Sequence, residues 1–334
     1  MRRVRRIKIA CVGTNGHQIF GLLKGLKQAQ LVGVTENAHV ADYREAFPGV
    51  MSAATVYFSL DELLAESDCD LVSLCSTRRD QQAKQILACL ATGRHVLAEK
   101  PLCTSLEDLA KIRRAAKKAR RKVWAMLAMV NVPILMEMQN RIRKGEFGEV
   151  GQVFAQKSYK FGGNRPQDRG VDGGIIQAAI HAVSFIRSTT GLEFTEVSAT
   201  ESAIGNKKKG NLQVEFAINA RLSNGALCQI ITNYLNPDCA PWWGNDQLRV
   251  FGTRGMIETV DGLTKAAIYV GKKVTHRVVR SEHPNYLPFL LNEIATGKPA
   301  HFSMEDSFRC TQIVLEAQLS ATANSEQRLL KFLS

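Results

Sequence analysis

The chain has 334 residues, 45% of them hydrophobic, and a formal net charge of +13. This length predicts two domains, and the apolar content is sufficient for a core in each. No stretch approaches the roughly 20 uncharged apolar residues of a membrane span, and the basic N-terminus lacks the apolar segment of a signal peptide. We therefore expect a soluble, cytoplasmic protein that makes no membrane contact.

The positive charge is concentrated in three runs, at residues 1–6, 111–122 and 207–209. None of them is interleaved with aromatic residues for base stacking, and residues 111–122 have the pattern of an exposed helix face. We expect no nucleic-acid binding; a weak bias toward anionic small molecules is an open alternative. The eight cysteines occur singly, without a C-x-x-C pair, which predicts reduced core thiols and no structural metal.

Strand and helix patterns alternate through the first part of the chain. Residues 7–12 predict a strand, which leads through a glycine-containing turn into apolar residues at helical spacing. Further strands are predicted at 29–37, 55–58, 69–77 and 94–101, with a helix at 80–93. This alternation is typical of a doubly wound parallel sheet, so we predict a Rossmann-type α/β domain over residues 1–123.

From about residue 124 the pattern changes to long alternating segments. A short strand and the helix at 133–148 come first, and extended segments follow at 149–161, 192–202, 211–222, 225–235 and 246–260. They are typical of antiparallel strands, and residues 303–324 return to a helical pattern. We predict an α+β domain over residues 124–334, built on an open, mostly antiparallel sheet. Because an uncovered sheet face usually finds a partner, we expect a homo-oligomer.

The turn after the first strand predicts a dinucleotide site. Its residues keep part of the G-x-G-x-x-G pattern: Gly13, Thr14, Asn15, Gly16 and His17. In that pattern, glycines let the backbone approach a pyrophosphate at the N-terminus of the next helix. A plain strand-to-helix turn would explain the same residues, so this pattern alone does not establish a dinucleotide site.

Glu36 gives independent support for a dinucleotide. It lies near the end of the second predicted strand, close to the position, about 20 residues after the turn, where an acidic residue binds the ribose hydroxyls. A carboxylate there repels a 2′-phosphate, which favours NAD over NADP. A solvated acid at a strand end is the alternative. Ser76 and Thr77, at the end of the next buried strand, are further candidates for cofactor contact.

The segment GRHVLAEKPL, residues 93–102, resembles the signature of the Gfo/Idh/MocA oxidoreductases. In that family a strand ending in Glu-Lys-Pro brings a lysine to the nicotinamide, and Glu99, Lys100 and Pro101 match it residue for residue. Two further segments, 144–153 and 289–321, resemble the start of the family's second domain and its closing helices. The resemblance implies an NAD-dependent oxidoreductase, a dimer or tetramer, and a cis peptide before Pro101.

Residues 173–185 resemble a helix on which the family carries an aspartate and a histidine four residues apart, facing the lysine across a cleft. His181 falls on the histidine, whereas Gln177 occupies the aspartate position. A lone histidine on an apolar helix is otherwise more often a core residue. The resemblance implies that His181 takes the hydroxyl proton of a secondary alcohol while Lys100 stabilises its oxygen. An amide at 177 can orient a hydroxyl or the imidazole but carries no charge.

The weaker candidates for substrate contact are Tyr159, Arg165, Arg169, Trp242 and Trp243. The first three lie on a strand and the loop after it, and a solvated loop would explain the loop residues equally well. The tryptophans could form a flat surface for a sugar ring or cap the sheet.

Our leading hypothesis is an NAD-dependent dehydrogenase or reductase of a cyclic polyol, a sugar or a related compound. The alternative is a non-catalytic NAD or sugar sensor of the same fold, which the missing aspartate favours. A redox-assisted glycosidase is a minor third hypothesis.

Overall fold

The computed structural model describes residues 6–35, 40–162, 165–241, 243–279 and 285–332. The chain divides into two compact units, which are residues 1–126 with 285–308, and residues 127–284 with 309–334. Each unit contains one sheet.

The helices are α1 (Phe20–Leu23), α2 (Val40–Ala46), α3 (Pro48–Met51), α4 (Leu60–Glu66), α5 (Gln82–Ala91), α6 (Leu106–Ala119), α7 (Pro133–Arg143), α8 (Arg169–Asp172), α9 (Ile176–Thr190), α10 (Leu287–Thr296) and α11 (Met304–Thr322). The strands are β1 (Ile7–Val12), β2 (Ala29–Thr35), β3 (Thr55–Tyr57), β4 (Leu71–Leu74), β5 (His95–Ala98), β6 (Val123–Ala125), β7 (Val150–Lys160), β8 (Phe194–Ser202), β9 (Glu215–Leu222), β10 (Leu227–Asn236), β11 (Gly244–Gly252), β12 (Gly255–Val260), β13 (Lys265–Val270), β14 (Lys273–Val278) and β15 (Arg328–Leu329). Within the described ranges, no helix is long and apolar enough to cross a membrane.

The first unit is built on a six-stranded sheet in the order β3-β2-β1-β4-β5-β6, with all pairs parallel. Strands β1, β4 and β5 are almost entirely buried, as expected for a sheet covered on both faces. The strand order reverses between β1 and β4, and ligands of such sheets bind beyond the carboxyl ends of the strands at that point. The predicted Rossmann-type sheet is confirmed.

Helices α1 and α6 of the first unit can be compared directly with the patterns in the sequence. Helix α1 has four residues, shorter than the pattern of apolar residues predicts, and the chain turns away at Gly25, which has a φ of +74°. Helix α6 buries Leu109, Ile112 and Ala116, while most of its lysines and arginines are exposed. The basic run at 111–122 is therefore mainly the solvated face of a helix, as its pattern predicts.

The second unit is built on a nine-stranded sheet in the order β14-β13-β12-β11-β7-β10-β9-β8-β15. Its described strand pairs are antiparallel except for β7 with β10. Helix α9 packs on β7 and β10, and the other face of β10 is exposed. The predicted open, mostly antiparallel sheet is confirmed. One detail differs, because residues 246–260 are not a single strand but the hairpin of β11 and β12.

Residues 285–308 lie in the first unit, whereas the prediction assigned all of 124–334 to the second domain. Asn285 donates a hydrogen bond from Nδ2 to the carbonyl oxygen of Leu22 at 2.6 Å. The Lys122 ammonium lies 2.8 Å from a carboxylate oxygen of the buried Glu293. The return of the chain to the first unit depends on such long-range contacts, which a local pattern does not record.

The eight cysteines are free thiols, and seven of them are buried. Burial raises the pKa of Cys11, Cys89, Cys103 and Cys228 to about 12. These thiols are therefore protonated and unreactive at neutral pH.

Candidate active site

The turn between β1 and α1 packs directly on the loops that follow β4 and β5. Gly13 has a φ of +71°, and a Cβ there would lie 2.1 Å from the carbonyl oxygen of Cys75. Gly16 has a φ of +129°, and a Cβ there would lie 2.6 Å from the carboxyl group of Glu99. Both positions therefore require glycine, for conformation as well as for space.

Hydrogen bonds join this turn to the end of β4. The Asn15 N–H donates to the Cys75 carbonyl oxygen at 3.3 Å, and the Asn15 side chain donates to the Thr77 carbonyl oxygen at 3.2 Å. Within the turn, the Thr14 carbonyl oxygen accepts from the Gly16 N–H at 3.1 Å. The structure thus brings these candidate cofactor residues together at the point where the strand order reverses.

Arg79 belongs to this site but was missed in the sequence. Its side chain is buried, donating from Nη2 to the Asn15 carbonyl oxygen at 2.5 Å and from Nη1 to the Ser76 carbonyl oxygen at 3.3 Å. The Ser76 hydroxyl in turn donates to the carbonyl oxygen of Arg78 at 2.6 Å. Two arginines stand next to each other after the strand, and no local pattern indicates which one is buried.

Glu99 connects the turn to the predicted catalytic lysine. Its buried carboxylate accepts from the His17 N–H at 2.7 Å, and the His17 Nδ1 atom lies 2.9 Å from Oε2. The Lys100 ammonium lies 3.6 Å from the Glu99 Oε1 atom. Burial by itself raises the pKa of Glu99, but the neighbouring His17, Lys100 and Arg79 outweigh it and hold the pKa well below its usual range. Glu99 is therefore a carboxylate at neutral pH.

The backbone around Lys100 is fixed by another side chain that the sequence did not indicate. The buried Gln82 donates from Nε2 to three carbonyl oxygens, those of Glu99 at 2.6 Å, Pro101 at 2.9 Å and Leu102 at 3.2 Å. The peptide between Lys100 and Pro101 is cis, which confirms the expectation from the family resemblance.

These observations fit a bound dinucleotide. The two obligatory glycines bring backbone close to the sheet edge where a pyrophosphate would approach, beside the buried cation of Arg79. Glu36, the predicted ribose ligand, lies outside the described residues. Among the residues that the structure does describe, no group of three or more His, Cys, Asp or Glu side chains could hold a metal ion.

In the second unit, α9 carries the two residues of the family helix. Gly173 and Gly174 precede it with φ values of +88° and +74°. Gln177 lies in its first turn and the buried His181 one turn later, so the two share a face of the helix.

Gln177 is bound to an aspartate that precedes the helix. Its Nε2 atom donates to the carbonyl oxygen of Asp172 at 2.8 Å and to the Asp172 Oδ2 atom at 3.0 Å. The Arg165 Nη1 atom lies 2.7 Å from the other carboxylate oxygen, Oδ1. The end of α8 therefore places a buried carboxylate beside the position where the family resemblance leads one to expect an aspartate.

Two predicted substrate residues contact Tyr234, which was not predicted, and a third contacts one of those two. The Arg165 guanidinium lies 3.7 Å from the centre of the Tyr234 ring, and the Tyr159 ring stacks on it at 6.2 Å. The exposed Trp243 ring lies 6.4 Å from that of Tyr159. Tyr234 is on the buried face of β10, and the alternation of that strand is the signal that could have identified it.

Of the other two substrate candidates, the structure describes only Arg169, which is not part of this group. Arg169 is exposed at the start of α8, and Trp242 lies outside the described residues.

A buried ion pair lies on the same sheet face, next to α9. The Lys157 ammonium is 2.5 Å from the Asp246 Oδ2 atom, 4.6 Å from the Tyr159 ring centre and 5.7 Å from that of Phe185. Phe185 follows His181 by one helical turn, so this cation lies close to the histidine's face of α9. Burial lowers the pKa of Lys157, although Asp246 acts in the opposite direction.

Comparison with known proteins agrees with this geometry. Residues 7–127 match the family described as "Oxidoreductase family, NAD-binding Rossmann fold", and residues 135–258 match the "GFO/IDH/MocA C-terminal domain". The chain belongs to the Gfo/Idh/MocA oxidoreductase family. Both the predicted family and the predicted cofactor, NAD, are confirmed.

Two curated relatives of this family member carry named activities. The chain is 27% identical to a 1,5-anhydro-D-fructose reductase of Ensifer adhaerens over 51% of its length, and this match spans only 52% of the reductase. It is 25% identical to a myo-inositol 2-dehydrogenase of Thermotoga maritima, over 73% of its length and 75% of that enzyme.

Two solved structures share the fold over nearly the whole chain. An oxidoreductase from Thermotoga maritima is 29% identical with a TM-score of 0.87, covering 97% of this chain and 100% of that one. The WlbA dehydrogenase of Bordetella pertussis, solved with NADH and UDP-GlcNAcA, is 17% identical with a TM-score of 0.80, covering 98% of this chain and 99% of that one. At that identity the second likeness concerns the fold alone.

Proposed function

We propose that this protein interconverts a secondary alcohol and a carbonyl group on a cyclic polyol, a sugar or a related compound, with NAD as the redox partner. The observation that carries the proposal is the Glu99 carboxylate, which bonds to His17 of the dinucleotide turn and lies beside the Lys100 ammonium. These contacts support a role for the Lys100 ammonium beside a cofactor bound at the carboxyl ends of the strands. The activities named for the two curated relatives support the substrate class.

Each residue of the proposed site has a separate task. A bound cofactor would accept a hydride on its nicotinamide ring when the alcohol is oxidised and donate one when the carbonyl group is reduced. Lys100 stabilises the negative charge that develops on the substrate oxygen, and the Glu99 carboxylate is the counter-ion beside that ammonium. His181 takes the hydroxyl proton during oxidation, and Gln177 orients the substrate by hydrogen bonding.

The test is a screen of inositols, aldoses and their lactones for NAD reduction or NADH oxidation at several pH values. For a compound that the protein oxidises, the rate of NAD reduction should rise with pH through one histidine-like ionisation, because the neutral imidazole is the base. This ionisation should disappear in His181→Ala and persist in His276→Ala, which removes an exposed histidine of β14. A profile unchanged in His181→Ala excludes His181 as the base.

A non-catalytic sensor is the second candidate, and the amide at position 177 is the observation that favours it. A sensor should bind NAD and a sugar by calorimetry without any NADH formation over hours. Turnover of any compound in the screen decides for the enzyme.

We also propose a homo-oligomer in the cytoplasm. The outer face of β10 exposes Leu227, Ile231 and Leu235, with 51%, 37% and 50% of their surfaces accessible. Such an apolar sheet face is suited to a second copy. Light scattering should show a dimer or tetramer that dissociates in Ile231→Glu but not in Ile204→Glu, a change at another exposed isoleucine. The buried free thiols suit a reducing compartment.

A further inference from the structure

The contacts of Gln177 with Asp172 determine how its side-chain amide is oriented. Both atoms that it contacts in Asp172, the carbonyl oxygen and Oδ2, are hydrogen-bond acceptors. The amide nitrogen must therefore face Asp172, since the amide oxygen cannot donate. Both N–H groups are used in this way, so the carbonyl oxygen Oε1, an acceptor with two lone pairs, lies on the other side of the amide.

Asp172 is held firmly in this position. Its carboxylate is buried, with Oδ1 bonded to Arg165 at 2.7 Å and Oδ2 accepting the Gly174 N–H at 3.1 Å. Arg165 is itself fixed, because its Nε atom donates to the Phe161 carbonyl oxygen at 3.0 Å and its guanidinium stacks on Tyr234. A negative charge at position 177 would therefore face a carboxylate that cannot easily turn away.

We propose that Asp172 is a positioning residue that fixes Gln177 as a hydrogen-bond acceptor for a substrate hydroxyl, and that position 177 is an amide because Asp172 already supplies the carboxylate. The site thus has a carboxylate of its own, carried by the last residue of α8 instead of by α9. The substrate part of this inference rests on the proposed function, whereas the pairing of Asp172 with Gln177 does not.

The decisive variant is Gln177→Glu, which keeps the shape of the side chain. One of its carboxyl oxygens must face the two Asp172 acceptors, so the site is satisfied only while a proton is shared between the two acids. The charged or titratable groups near this pair include Arg165 from the loop, Tyr234 from β10 and Arg169 from α8, whose side chain lies beside Gly174. Lys208 is bonded to the Arg165 carbonyl oxygen. His181 follows on α9 itself. Arg165 already forms an ion pair with Asp172, so it does not remove the repulsion between the Asp172 carboxylate and a second carboxylate at position 177.

We therefore expect Gln177→Glu to raise KM by about tenfold at pH 8. Near pH 5.5 the KM of the variant should approach that of the wild type, because the introduced acid, once protonated, donates a hydrogen bond as the amide does. Asp172→Asn combined with Gln177→Glu should lose this pH dependence, because an amide at 172 can donate to the new carboxylate. An unaltered KM and pH profile in Gln177→Glu overturns the proposal.

Thermal unfolding tests the pairing without any substrate. In Gln177→Glu the shared proton has a folded-state pKa above the unfolded value, so the folded state binds more protons and the variant loses stability relative to wild type as pH rises from about 5 to 8. The double variant should not show this loss. If the loss is absent in Gln177→Glu, the pairing is wrong whatever the enzyme turns over; if it is present in a protein without turnover, the pairing holds and only the proposed function fails.

Gln318→Glu is the matched control. The Gln318 Nε2 atom donates to the Glu201 Oε2 atom at 2.7 Å, so this variant also replaces an amide with an acid beside a carboxylate. It should show a similar loss of stability at high pH with no change in KM. A KM change in Gln318→Glu equal to that in Gln177→Glu would mean that the effect is a general one of destabilisation and would overturn the substrate part of the proposal.

Discussion

The His17 imidazole and the Glu99 carboxylate form a hydrogen-bonded pair, with the Nδ1 atom 2.9 Å from Oε2 and 3.0 Å from Oε1. The pair joins the dinucleotide turn to the end of β5, although the two residues are 82 positions apart in the chain. It also gives the turn a direct connection to Lys100, since Lys100 follows Glu99 in the chain and lies beside its carboxylate.

Replacing His17 should weaken cofactor binding. His17→Ala removes the side-chain donor of the buried carboxylate, and loss of such a charge-assisted bond corresponds to about tenfold in affinity. Calorimetric titration with NAD should show this increase in Kd. His17→Asn, whose amide nitrogen stands close to the Nδ1 position, should retain most of the affinity. Equal affinities for His17→Ala and wild type would contradict a role of this contact in NAD binding.

Lys100→Ala should act on turnover rather than on NAD affinity. Because the ammonium is proposed to stabilise charge in the transition state, kcat on a confirmed substrate should fall by about a hundredfold or more. The NAD Kd should stay within a few-fold, since Glu99 keeps His17 and Arg79 as neighbours. Steady-state kinetics and calorimetry on the same preparation separate the two effects. Normal turnover in Lys100→Ala would show that Lys100 has no role in catalysis.

NAD should bind more tightly than NADP if Glu36 contacts the ribose hydroxyls. Calorimetry with both dinucleotides should show the preference, and Glu36→Ala should narrow it because the repulsion of the 2′-phosphate is removed. A tenfold tighter binding of NADP by the wild type, about 1.4 kcal/mol, would contradict this assignment.

Stability should fall when the pH drops below neutrality, in part because of His95. Burial, together with the charges of Arg121 and Lys122, lowers the pKa of His95 to about 4 from its ordinary 6.5, and its Nδ1 atom accepts the Lys122 N–H at 3.0 Å. Between these two pH values the unfolded chain binds more protons, so stability is lost as pH falls through this window.

The midpoint of urea unfolding measures this effect at pH 7 and pH 5. His95→Asn keeps an acceptor near the Nδ1 position and should lose less stability between the two pH values than the wild type. His276→Asn, at an exposed position of β14, serves as the control and should behave as the wild type does. If all three proteins lose the same stability between pH 7 and pH 5, the acid sensitivity comes from titratable groups other than His95.

The sequence by itself determined the family, the two sheet types and the residues of the Glu-Lys-Pro segment. Strands β1, β4 and β5 could be predicted because a strand covered on both faces is apolar throughout, and this is a local property of the chain. The alternation of β10 indicated a half-exposed sheet for the same reason. The resemblance then predicted Lys100 and His181 as site residues, because each lies in a recognisable short motif.

Only the tertiary structure decided the partners of these residues. Glu99 meets His17, and Arg79 meets Asn15, across loops from different strands, and Gln177 meets an aspartate that precedes its helix. Hydrogen bonds and ion pairs depend on positions a few ångströms apart in space, and residues far apart in the chain reach them only when the sheet aligns its strand ends. Periodicity records which face of an element is buried, but it carries no information about which polar side chains meet there.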